Sequence, residues 1–168
     1  LEGGESGRNT AIPSISLVTI TWQPKRELFK AKQTYTNKEV SVFFNDLLGK
    51  PYSIIKSLKL GGVGSKRMMI SQVSPGFSSI MNTVSDINYG NIELREKGIL
   101  VHINKGLKNF SWAIPFYQLH IYNTETFSIH AQGNFVKFTK NKLLRENKKF
   151  LGKLVDLKIE NNKLYELY

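Results

Sequence analysis

Three glycines stand directly ahead of Ser65, Lys66 and Arg67 in "LKLGGVGSKRMMI", Leu58 to Ile70, a combination that can hold a phosphate. A P-loop requires G-x-x-x-x-G-K-[ST], so that consecutive backbone N–H groups wrap the phosphate while the lysine reaches it. Here Ser65 precedes Lys66, and Leu60 stands where the first glycine belongs. The motif fails. A dinucleotide fingerprint fails as well, because Gly62 and Gly64 are followed by Arg67 at the third glycine position. What remains is a basic loop able to meet an anion through glycine amides and the charges of Lys66 and Arg67. The plain alternative is a glycine-rich connection.

Other reactive side chains are sparse. His102, His120 and His130 lie 18 and 10 residues apart with no H-x-x-x-H pair and no acidic cluster, which favours packed or rim histidines over a zinc site. Asp86, Glu93 and Glu96 could hold Mg²⁺ in a nuclease-type centre, where a lysine orients the attacking water, but Glu93-Leu94-Arg95 lacks that lysine. No serine occupies a nucleophile elbow. The chain has no cysteine, which excludes disulfides, thiolate metal sites and cysteine nucleophiles together. The expectation is a protein without a catalytic residue, metal or cofactor.

Charge is the strongest bulk signal. The chain of 168 residues has a formal net charge of +11. The excess is spread over both halves, with 10 basic against 4 acidic residues in 15–90 and 13 against 7 in 91–168. Its densest cluster, "KFTKNKLLRENKKFLGK" from Lys137 to Lys153, carries seven basic residues and one acidic. Read as a strand and then a helix, it projects Arg145, Lys148, Lys149 and Lys153 as one solvent-facing stripe, joined by Lys137 and Lys140. Such a stripe suits lipid headgroups, an acidic protein or a phosphate backbone; the alternative is an ordinary solvated face. Trp112, Phe116, Tyr117 and Tyr122 read as core more than as a base-stacking platform.

The elements that must position these residues follow from periodicity. "LEGGESGRNTAIPS" is a flexible start, read as a scar, a linker or the cut end of something longer and lacking signal-peptide character. Ser14 to Trp22 alternates as a strand, and "TYTNKEVSVFF" reads as a hairpin about Asn37-Lys38. A helix opened by Pro51 should stop at Gly61. Ser74 as N-cap, Pro75, and Phe77, Ile80, Met81, Val84 and Ile87 at helical spacing predict a second helix ended by Gly90. From Asn91 the period changes to two, giving strand pairs about Glu96-Lys97-Gly98, Pro115 and Gln132-Gly133-Asn134. Asn141 caps a last amphipathic helix, with an early stop at Gly152 and a strand "KLVDLKIE" as the alternative. No apolar run reaches the roughly 18 residues of a membrane span.

The order in residues 91–158, short antiparallel strands closed by one amphipathic helix, resembles the bacterial pleckstrin-homology-like split barrel, with "EKGILVHINKGLKNFSWAIPFYQLHIY" carrying the likeness. That resemblance implies an α+β fold in which the last helix plugs one open end of a barrel, and it fixes no ligand. The organisation expected is a tail at 1–14, an N-terminal α/β segment at 15–90 packed on the barrel, and the barrel with its helix at 91–168. The function expected is a non-enzymatic binding module, cytoplasmic or peripheral to the membrane, engaging anionic lipid or an acidic protein. Its anion-binding residues would be Lys66, Arg67, Lys137, Lys140, Arg145, Lys148, Lys149 and Lys153. Two alternatives stand beside it: a nucleic-acid-binding protein or metal-dependent nuclease, and a structural domain of a larger assembly.

Overall fold

The computed structural model describes residues 30–33, 38–81, 87–105 and 108–165. In chain order the elements are β1 (Lys30–Gln33), α1 (Lys38–Leu48), α2 (Ile54–Lys59), β2 (Met68–Val73), β3 (Asn88–Arg95), β4 (Gly98–Lys105) and β5 (Lys108–Pro115). They continue with β6 (His120–Asn123), β7 (Phe127–Ala131), β8 (Asn134–Phe138), α3 (Lys142–Glu146) and α4 (Lys148–Tyr165). The fold is α+β. All eight strands join one open sheet in the order β1-β5-β4-β3-β2-β8-β7-β6, with every neighbouring pair antiparallel. β2 therefore links two blocks of consecutive strands, and β3 runs across the expected boundary at residues 90 and 91.

Alternation along the strands sorts side chains between two faces. Ile92, Leu94, Ile99, Val101, Ile103, Trp112 and Ile114 share one core with Leu144 of α3 and with Phe150 and Leu154 of α4. A 3-10 helix at Pro75–Ile80 adds Phe77 and Ile80 to it, and the Phe77 ring meets Trp112 edge-on at 4.8 Å between centroids. The opposite face buries Leu100 and Ala113 beneath Phe44 and Leu48 of α1. A sheet covered on both sides of β4 and β5 explains why "ILVHI" reads as nearly continuous apolar sequence.

Several expectations are corrected here. Lys38–Leu48 is a helix and not the second arm of a hairpin; residues 34–37 lie outside the described set, as does the expected strand at 14–22. Phe44 and Leu48 sit four residues apart on one helical face, and their burial against Leu100 and Ala113 outweighs the β propensity of Val40, Val42 and Phe43. α2 begins three residues beyond Pro51, where the Ser53 hydroxyl accepts from the Lys56 amide, and it ends before Gly61 as expected. Of the helix expected from Ser74 to Gly90, the described residues form a six-residue 3-10 helix, Pro75–Ile80. Met81 is already extended, Val84 lies outside the described residues and Gly90 is inside β3.

The later hairpins form where expected. Gln132 and Gly133 both take positive φ, 52° and 74°, as a two-residue turn between β7 and β8 requires. Pro115 does end β5, but β5 and β6 are not paired: a 3-10 turn at Phe116–Gln118 carries the chain to the opposite end of the sheet order. Asn141 caps α3 by accepting from the Leu144 amide. The helical region breaks once, at buried Asn147, whose Nδ2 donates to the Leu143 carbonyl while its Oδ1 accepts from the Lys66 amide. α4 then runs through Gly152 to Tyr165, which rules out the strand alternative.

Candidate functional site

α4 carries more apolar surface than its seat on the sheet uses. Phe150, Leu154 and Leu157 at i, i+4 and i+7 face the core. Half-buried Leu151, which also packs on the core, and Val155, flanked by Lys148, Gly152 and Asp156, line a groove of about 690 Å³. The facing wall comes from Ile121 and Asn123 of β6 and Phe127 of β7, and α3 with its approach adds Lys140, Leu144 and Arg145. β6 is the last strand of the sheet, so its outer edge carries no neighbouring strand among the described residues. The groove thus combines an apolar lining, a strand edge, and three cations against one carboxylate.

Gly152 is the unusual residue in that wall. Inside a helix it costs about 1 kcal/mol relative to alanine. Nothing lies within 4 Å of the position its Cβ would take, so no neighbour in the chain demands a glycine there. Its missing side chain leaves open space on the groove side of α4.

Of the eight basic residues singled out by charge, Lys140, Arg145 and Lys148 converge on the groove. The other five do not. Lys149 is exposed beside the groove without lining it. Lys137 on β8 lies over the Phe135 ring at 5.1 Å. Lys66 pairs with Glu146 at 3.2 Å, and the Arg67 guanidinium lies over Tyr89 at 4.9 Å. Lys153 leaves the expected solvent stripe altogether: its ammonium donates to the Leu60 and Gly62 carbonyls, and burial lowers its pKa.

That contact settles the polarity of the glycine loop. Gly61, Gly62, Ser65 and Lys66 donate their amides to Leu58 O, Ser57 O, Ile92 O and Asn147 Oδ1, while the loop turns carbonyls toward a lysine. A phosphate cradle needs the reverse, with N–H groups directed at the ligand. The loop is a clasp between α2 and α4.

On the α1 side of the sheet, a polar relay crosses three strands. Arg95 Nε lies 2.7 Å from Glu93 Oε1 as an ion pair, Glu93 Oε2 is 3.3 Å from His102 Nε2, and His102 Nδ1 is 2.8 Å from Ser111 Oγ. An ionised carboxylate only accepts, so Nε2 carries a proton, and in the neutral ring Nδ1 accepts from the serine. Burial pushes the Glu93 carboxyl up, yet the His102 hydrogen bond and the Arg95 charge outweigh it and hold its pKa below the ordinary value. The order serine, histidine, carboxylate is that of a nucleophilic triad, but Ser111 is buried and a nucleophile must reach a substrate carbonyl. This arrangement braces the sheet. Of the three nuclease carboxylates, Asp86 lies outside the described residues, Glu96 pairs with Lys56 at 3.3 Å, and no metal-sized cluster of His, Asp or Glu occurs among the described residues.

Sequence spacing missed one pairing. His120 and His130 are direct cross-strand partners in β6 and β7, beside Tyr122 and Lys137. Burial, then Lys137 and His120, lowers the His130 pKa. Above about pH 6.5 His130 is neutral in both folded and unfolded chains; below it the unfolded chain takes up a proton that the folded one resists. Stability is therefore expected to fall as pH drops through about 6.5 until the lower folded pKa is passed. Thermal midpoints at neutral and mildly acidic pH check this, and His130→Gln should flatten the difference.

No family model, curated protein or solved structure matches the chain. No helix among the described residues is long and apolar enough to cross a membrane.

Proposed function

We propose that the chain is a non-enzymatic binding module of the pleckstrin-homology-like kind, whose groove between β6 and α4 receives an extended acidic segment of a partner protein. The strand order supports the fold half of this reading: β2 joins a β3-β4-β5 meander to a β6-β7-β8 meander, and a C-terminal helix follows. The observation that carries the functional half is the groove. Its apolar lining of Ile121, Phe127, Leu151 and Val155 suits apolar side chains, while Lys140, Arg145 and Lys148 suit carboxylates between them. An extended segment presents side chains alternately to opposite sides, and the outer edge of β6 offers it backbone partners. Gly152 gives an anchor side chain room to approach the helix backbone.

The test is an anisotropy titration with a fluorescent dodecapeptide alternating glutamate and leucine, against a control with serine for leucine. Preference for the leucine peptide, weakened by salt, supports the reading. Gly152→Ala is expected to stabilise the fold by about 1 kcal/mol and yet weaken the leucine peptide about tenfold. Because the variant is the more stable protein, its loss cannot come from misfolding. Equal binding of both peptides, or unchanged binding by Gly152→Ala, counts against the groove.

A further inference from the structure

The helix α2 is inside out. Its three aliphatic side chains, Ile54, Ile55 and Leu58, are 80%, 69% and 75% exposed, and none of its residues is buried. It is held instead by polar ties at its margins: Tyr52 donates to the Arg95 carbonyl, Lys56 pairs with Glu96, and Lys153 grips the Leu60 and Gly62 carbonyls. The Ser53 cap keeps it helical without an apolar seat. A fold that fixes a helix by its polar groups and turns its apolar face outward presents that face to something outside the chain.

The surrounding charge decides what. From Leu47 to Ser85 the sequence has no aspartate or glutamate but contains Lys50, Lys56, Lys59, Lys66 and Arg67. Lys50 and Lys59 are exposed on either side of the apolar trio, and Glu96 is the carboxylate tied to this helix, already paired with Lys56. A second copy docking on itself would bring like charges together. Residues 1–29 carry three acidic and three basic side chains, so they offer no complementary charge. The occupant that takes a protruding aliphatic tip and the two lysines flanking it at once is an anionic bilayer, whose acyl boundary receives the tip and whose headgroups receive the cations.

We infer that α2 is a membrane-inserting wedge: Ile54, Ile55 and Leu58 enter the acyl boundary of an anionic leaflet, and Lys50 and Lys59 meet its headgroups. This surface is separate from the β6–α4 groove, so either site can fail without the other.

Cosedimentation with phosphatidylcholine vesicles containing about 30% phosphatidylglycerol tests the inference, with pure phosphatidylcholine as comparison. The full chain should bind the anionic vesicles at least tenfold better, and Ile55→Asp/Leu58→Asp should lose at least tenfold. Both positions are exposed, so the variant should keep its thermal midpoint. The chain has no cysteine, so Ile55→Cys can be labelled at a single site with an environment-sensitive fluorophore. A blue shift on adding anionic vesicles places residue 55 in the acyl boundary. Failure of the full chain to bind vesicles overturns the inference. So does undiminished binding by the double variant, an unshifted label during binding, or a concentration-dependent dimer abolished by the same substitutions.

Discussion

Gly98→Ala is expected to be strongly destabilising. A Cβ at this first residue of β4 would lie 2.3 Å from the Ile114 carbonyl oxygen, 2.7 Å from Leu48 Cδ2 and 2.8 Å from Pro115 Cα. Two of those three atoms are backbone, and Gly98 pairs with Pro115 in the β4–β5 ladder. Relief requires parting the strands or lifting α1 off the sheet, both of which expose the Leu48, Leu100 and Ala113 cluster. The expected cost is above about 3 kcal/mol, a large share of the stability of a domain this size. Urea unfolding measures it, with Gly64→Ala as the control. Nothing lies within 4 Å of a Cβ at Gly64, and its φ is not in the left-handed region, so its midpoint should stay within about 0.5 kcal/mol of the parent.

The second large effect concerns binding. Arg145→Glu/Lys148→Glu is expected to weaken the acidic leucine peptide on the order of 100-fold, because each reversal replaces attraction with repulsion at the mouth of the groove. Folding should be little changed. Arg145 sits in the last turn of α3, where losing a cation is mildly unfavourable, and Lys148 begins α4, where gaining an anion is mildly favourable. The informative control is Lys149→Glu. It makes a like charge change one residue away but does not line the groove, so it should cost no more than about threefold. If Lys149→Glu matches the effect per charge of the double variant, a diffuse field accounts for the binding and the groove does not.

The fold was most readable where local chemistry alone decides it. The turn at Gln132-Gly133, the Asn141 cap and the period-two runs after Asn91 state their structure within a few residues. Lys38–Leu48 could not be read that way, because its helix depends on Leu100 and Ala113, more than fifty residues later in the chain. The start of the 3-10 helix was visible in Ser74-Pro75, but its early end was not. The candidate site divides similarly. Lys140, Arg145 and Lys148 stand out as charge, yet only the placement of β6 at the sheet end sets Ile121 and Phe127 opposite them. Lys153 fits a helical stripe on paper; the carbonyls that claim it come some ninety residues earlier, which no periodicity can register.

The central place of β2 also sets an order of assembly. It pairs β3, which follows closely, and β8, with Ile70 opposite Phe138. During synthesis one side of β2 must wait for some 60 more residues, roughly 3–12 s at ribosomal rates of about 5–20 residues per second. For that interval it is an unpaired apolar edge, the kind of surface that chaperones engage and other nascent chains pair with. The pairing that ends this wait is irregular in register between Ile70 and Gln72. Once β8 docks, that irregularity leaves the β2–β8 ladder less flat than a regular one, which makes it a poorer template for further pairing.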